Sequence, residues 1–167
     1  MAKEVFWKED WPQIIAKQES VLRYENFNRD MAFELGMTIR DLALNKYKKG
    51  CAIRIIEDGV VIFALKLDGT YEENDWWMNR KLAVTRMTGT SSLRAYVDAK
   101  SGLREAEWEA RDDNFAACGG CIPVFRTDGK APIYHVMVSG LLHEEDHQII
   151  ADAMSLQLGV EAPSILA

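Results

Sequence analysis

No stretch of this chain is apolar for long enough to cross a bilayer, and Met1-Ala2-Lys3-Glu4-Val5-Phe6-Trp7 holds no run of the kind a secretory leader needs. A basic surplus is missing too: 20 Lys and Arg stand against 26 Asp and Glu, a net charge of −6. Nucleic acid and anionic membranes reward a basic surface, so neither is expected as a partner. Cysteine is scarce and odd in number, three in all, which argues against a disulfide framework and for a reducing cytoplasm. There is no phosphate-binding glycine loop, dinucleotide fingerprint or serine-hydrolase elbow. Repeats, low-complexity tracts and linkers are absent as well, so one domain over residues 1–167 is expected.

What is present is a globular composition, 48% hydrophobic and 28% charged, in a chain long enough to bury a core. A short helix is expected over about 8–18 and a strand over 20–27. Asn28 is placed to cap a long helix ending before Gly50, with Met31, Leu35, Ile39 and Leu42 on one face. Two apolar runs, 51–57 and 60–67, flank Asp58-Gly59, a hairpin signal. The second run is apolar on both faces and predicts a central strand covered on both sides. Asn74 is expected to cap a helix reaching about Thr88, and Thr90 or Ser91 to start another. Helix is also expected around Leu103–Ala110. A second hairpin, 121–126 and 132–138, turns at Asp128-Gly129, and a last helix runs from His143 to Leu158. This pattern predicts an α/β domain of the α+β type, with three α/β/α layers around a mostly antiparallel, five-stranded sheet.

The segment Ser139-Gly140-Leu141-Leu142-His143-Glu144-Glu145-Asp146-His147 contains a literal H-E-x-x-H, the pattern of zinc proteases. A zincin carries that motif inside a long helix and recruits a third ligand downstream. Here it opens the last helix, and the one other histidine, His135, sits on a predicted strand, so no metal is expected. The helix phase points elsewhere. The apolar stripe of Ile149, Ile150, Ala153, Met154 and Leu158, extended back one turn, passes through Asp146, with His147 on its flank. Glu144 shares the face of Gln148 and Asp152, expected to be solvated. Asp146 and His147 are therefore expected to point inward, whereas Glu144 and Glu145 suit the helix N-terminus.

Three other constellations carry chemistry. Trp76 with Arg80, and Trp77 with Lys81, are four apart on the middle helix, next to Asp75. They would make an aromatic and cationic wall for a planar anion, or pack in the core with paired cations. Ser91-Ser92 reads as a helix cap or as hydroxyls facing a pocket. Cys118-Gly119-Gly120-Cys121 is a C-x-x-C that precedes a strand and not a helix, which argues against a redox dithiol. Its glycines let the backbone turn or approach a neighbour closely.

In order, Phe33-Glu34-Leu35-Gly36, Asn74-Asp75-Trp76 with Arg80-Lys81, Ser91-Ser92, Gly119-Gly120-x-x-Pro123 and the Ser139 to His147 segment resemble the haem-degrading-domain family (GlcG/HbpS-like), over about residues 20–158. The resemblance implies a profilin-like fold, homo-oligomers and, for some relatives, haem binding. Relatives often carry histidine where Cys118 stands, although a cysteine thiolate also ligates haem iron.

Three functions follow as expectations. One is a cytoplasmic, oligomeric domain for a small anionic ligand, with haem the named cofactor. Its pocket would be built from Asp75, Trp77, Arg80, Lys81, Ser91, Ser92, Gly119, Gly120, Ser139, Asp146 and His147. Arg80 and Lys81 would neutralise the ligand, and Gly119 and Gly120 would offer it backbone N–H groups. Another is an assembly protein in which Asp146, Arg80 and Lys81 form buried ion pairs. The last is a haem-degrading enzyme, for which Asp146 and His147, adjacent on a helix, do not face each other as a dyad.

Overall fold

A computed structural model describes residues 4–167; the first three residues of the amino-terminal stretch read above lie outside the described part. Helix α1 (Trp11–Val21) carries a proline in its first turn, and α2 (Arg29–Leu42) is capped as expected, Asn28 Oδ1 accepting from Met31 N–H at 2.9 Å. A π-helical turn (Ala43–Tyr47) extends α2 to a left-handed Lys48, after which come β1 (Ala52–Glu57) and β2 (Val60–Lys66). Their turn has positive φ at Asp58 (46°) and Gly59 (83°), the primed geometry that Asp-Gly favours. Helices α3 (Glu72–Thr88) and α4 (Ser92–Lys100), a 3-10 segment (Glu107–Asn114), β3 (Cys121–Pro123), β4 (Tyr134–Ser139) and α5 (His143–Leu158) complete the chain.

The sheet order is β2-β1-β4-β3, antiparallel throughout. Helices cover both faces. Ile53, Ile55, Val136 and Val138 point toward Leu35 and Ile39 of α2 and Ile149 and Ile150 of α5. Their alternates Ala52, Ile56 and Met137 meet Met78 and Leu82 of α3. A further cluster joins Trp11 and Ile15 of α1 to Leu93, Tyr96 and Val97 of α4 and to Ile165 near the carboxyl end. Helix α2 lies close against the sheet at Gly36, where an added Cβ would lie 2.4 Å from the Phe63 ring.

Four expectations need correction. Among the described residues the sheet has four strands and not five. The expected strand over 20–27 is taken into α1 as far as Val21, and what remains makes a single parallel bridge between Tyr24 and Arg126. The doubly apolar β2 is an edge strand and not a central one, with Val60 54% and Val61 53% exposed. Asn74 does not cap α3 from outside; it sits in the first turn, and its Oδ1 accepts from Tyr71 N–H at 2.8 Å.

Candidate functional site

Strand β4 delivers Ser139 to the α3 side of the sheet, Gly140 turns the chain at φ 130°, and α5 begins three residues later. Across from this corner, α3 presents Asn74, Trp77 and Lys81, spaced three and four apart and so on one helix face. Asn74 Nδ2 donates to Ser139 Oγ at 3.0 Å. Lys81 Nζ donates to the Val138 carbonyl at 2.9 Å and to Asp146 Oδ2 at 3.0 Å. The other carboxylate oxygen, Oδ1, accepts from Leu141 N–H at 2.9 Å. Asp146 is 3% exposed and Lys81 2%, so this is a buried charge pair.

Burial works against both charges. It pushes the Asp146 carboxyl up to about 6 in spite of Lys81. On Lys81, burial is outweighed by Asp146 and by the neighbouring Cys118 and Cys121, and the lysine is raised. The charged pair is the resting state near neutral pH, because Asp146 accepts on both oxygens while Lys81 donates to a carboxylate and a carbonyl.

Positions 119 and 120 fit against this corner only as glycine. A Cβ on Gly119 would lie 2.0 Å from the His143 carbonyl oxygen, and one on Gly120 2.4 Å from that of Val138 and 2.6 Å from Lys81 Nζ. Gly119 N–H donates to His143 Nδ1 at 3.2 Å. At Gly119, then, the N–H expected for a ligand is engaged, and the pair of glycines serves close approach to the start of α5.

In front of Asp146 lies a cleft of about 360 Å³. It brings together four of the predicted residues, Trp77, Lys81, Ser139 and Asp146, beside Cys118, with Gly119 and Gly120 packed behind. The others lie elsewhere. Asp75 pairs with Arg54 at 2.7 Å and with Lys66 at the sheet edge. Arg80 lies over Trp76 at 4.2 Å and Trp77 at 4.9 Å and donates to the Phe115 carbonyl at 3.0 Å. Ser91 caps α4 by accepting from Arg94 N–H at 3.1 Å, and Ser92 Oγ accepts from Cys121 N–H at 3.1 Å. His147 Nε2 meets Gln18 Oε1 of α1 at 2.8 Å; burial is the main reason its pKa falls to about 3.

The two histidines of H-E-x-x-H therefore diverge: His143 Nε2 lies 2.6 Å from the Phe6 carbonyl oxygen, and His147 faces α1. Among the described residues, no three His, Cys, Asp or Glu side chains are grouped to hold a metal. The face expected to be solvated is also covered. Gln148 is 3% exposed, its Oε1 accepting from Gln18 Nε2 at 3.0 Å and Ile165 N–H at 3.1 Å. The α5 phase places Gln148 on that side but cannot show that α1 and the carboxyl-terminal segment pack over it. Val5, Asn74, Leu141 and His143 shape the site without having been assigned to it. Val5 carries no local signal, whereas Asn74, three residues after Tyr71, has the spacing of a reciprocal cap.

A family model described as "Haem degrading protein HbpS-like" matches residues 27–155. A UPF0303 protein of Rhizobium meliloti (strain 1021) is 37% identical over 156 residues, 88% of this chain and 90% of the relative. One from Brucella melitensis biotype 1 is 34% identical over 147 residues, 87% and 86% of the two chains. The crystal structure of the Ybr137w protein superposes with a TM-score of 0.76 at 25% identity, covering 89% of this chain and 87% of that one. A structure described as a PduOC:heme complex gives 0.65 at 14% identity, covering 83% and 97%, a likeness of fold alone. Among the described residues no helix is long and apolar enough to cross a membrane. With more than half of its length matched, this chain belongs to the HbpS-like haem-degrading family.

Proposed function

We propose that the chain is a single cytoplasmic domain that works as a homo-oligomer and binds a small ligand in the cleft before Asp146. The observation that carries this reading is the cleft itself. One wall is the indole of Trp77, a thiol at Cys118 lines it, and the Lys81–Asp146 pair fixes its floor. Concave sites that mix apolar walls with a few fixed polar groups are where proteins take small molecules. A profilin-like description of the fold belongs to the same reading, supported by the antiparallel sheet with helices on both faces.

Haem is the candidate ligand, supported by family membership and by a fold neighbour described as a haem complex. The residues fit it in part. Trp77 suits a flat ring, and Cys118 is the side chain in the cleft suited to meet iron. His143 has both ring nitrogens engaged, and His147 faces away. Lys81 is paired with Asp146 and Arg80 lies on the tryptophans, so neither cation is set to pair with haem propionates. When bound, haem would supply iron redox chemistry; the chain's own residues orient the ring and hold the charge beneath it.

Support for the homo-oligomer comes from β2, an exposed apolar edge flanked by Phe33, itself 59% exposed. A purely structural role finds one observation in its favour, the buried Lys81–Asp146 pair, but that pair lies at the floor of an opening. Titration of the purified protein with haemin separates the two: binding shifts the Soret band at micromolar haemin, and the absence of any shift removes haem as the ligand.

A further inference from the structure

Residues 4–7 belong to no helix or strand, yet Val5 is part of the lining of the cleft and Phe6 meets His143, another lining residue. Each of the four residues is held by a contact. Glu4 pairs with Lys100 at 3.0 Å. Val5 N–H donates to the Tyr96 hydroxyl at 3.1 Å, and that hydroxyl donates to the Val5 carbonyl at 3.2 Å. The Phe6 carbonyl oxygen lies 2.6 Å from His143 Nε2. Trp7 packs against the α1–α4 cluster. Phe6 is 57% exposed and Glu4 is exposed as well, so on leaving the segment gives up only the half-buried Val5 and Trp7 side chains and these polar contacts. A stretch with no fully buried side chain, held by part-buried and exposed bonds, opens at lower cost than the core.

His143 joins this segment to the opposite side of the cleft. A carbonyl oxygen cannot donate, so Nε2 carries the proton toward Phe6. In the neutral imidazole Nδ1 is then an acceptor, and it takes Gly119 N–H, next to Cys118 in the cleft wall. One ring in one tautomer holds both sides. Burial favours this neutral form by holding the His143 pKa below its ordinary value. The Trp11 ring, 6.1 Å from the imidazole and edge-on to Phe6 at 5.5 Å, backs the arrangement.

We propose that residues 4–7 are a strap that opens and closes the cleft, and that His143 is the positioning residue that latches it to the Cys118–Gly119 loop. The proposal rests on reading the cleft as the binding site, but its test needs no ligand. Amide hydrogen exchange reports on residues 5–8, and iodoacetamide labelling, read by peptide mass, reports on Cys118 against Cys121. Tyr96→Phe removes the hydroxyl that holds Val5; His143→Ala removes both latch contacts. Each change is expected to speed exchange and Cys118 labelling roughly tenfold, with Cys121 labelling unchanged. His143→Gln, which can still donate to Phe6, should fall between wild type and His143→Ala. If His143→Ala fails to fold, Tyr96→Phe decides by the same two rates. Faster exchange and labelling support the strap whatever haemin does. Wild-type rates in the folded variants overturn it even if haemin binds.

Discussion

Under α2 and α5 the sheet meets a broad apolar layer: Ile53, Ile55, Val136 and Val138 against Leu35, Ile39, Ile149 and Ile150. Under α3 the apolar cluster is smaller, and buried Lys81, Thr85, Ser92 and Ser139 lie among or beside it. The first face needs no directional partners, because hydrophobic burial stabilises it in proportion to area. On the second, a polar group must find a partner, as Lys81 finds Asp146 and Val138 and as Ser92 finds Cys121. A buried ion pair is weak evidence for stability, since desolvation offsets much of its attraction. That one stands at the floor of the cleft points to a face shaped for a task beyond holding the chain together.

The contrast can be broken most severely at Lys81. Lys81→Met leaves Asp146 buried without its counter-charge and should cost about 3–5 kcal/mol in urea unfolding, whereas adding Asp146→Leu should restore most of the loss. A single-variant loss under about 1 kcal/mol would mean the pair is not desolvated as described. On the apolar face, Ile150→Ala should cost about 3 kcal/mol from lost burial and a cavity, with haemin binding unaffected in the folded protein.

Smaller effects come from pH. His147 and His135 are depressed, mainly by burial, to about 3 and about 4, below the ordinary histidine value. A depressed pKa contributes stability that is present above about 6.5 and is lost as pH falls toward the folded value. Asp146, raised to about 6, acts in the opposite sense: its contribution is present below the ordinary carboxylate range and lost as pH rises through about 6. Three depressed histidines, His143 among them, against the raised carboxyls of Asp146 and Glu19 predict a melting temperature that falls between pH 6.5 and 4. His147→Gln keeps a partner for Gln18 and should flatten that fall; a slope equal to wild type would contradict the buried neutral imidazole. Least costly to the fold is Val61→Lys on the exposed edge, expected to change stability by under about 0.5 kcal/mol and to split the proposed oligomer in light scattering. An unchanged mass would move the subunit contact away from β2.

The same two faces explain what could be read from residues alone. The α5 bounds, the Asn28 cap and the Asp58-Gly59 turn are local, set by neighbours in sequence, and they appear in the structure as expected. Asp146 is inward because the α5 stripe extends through it. Strand β2 misled because apolar residues on both faces look the same in a covered central strand and in an exposed edge strand. Asp75 and Arg80 were drawn to the site by their nearness in sequence to Trp77 and Lys81. Each instead faces its own partner, Arg54 and Lys66 for one, the tryptophans for the other. The role of His143 was hidden because it depends on Phe6 and Gly119, both distant in the chain.

The central claim is that a ligand occupies the cleft beside Trp77, and a paired haemin titration of wild type and Trp77→Ala tests it most directly. Trp77 is partly exposed and contributes little to the core, so the variant should keep its fold while haemin affinity falls roughly tenfold. Equal affinity in the two proteins, at equal melting temperature, would place the ligand elsewhere and contradict the account.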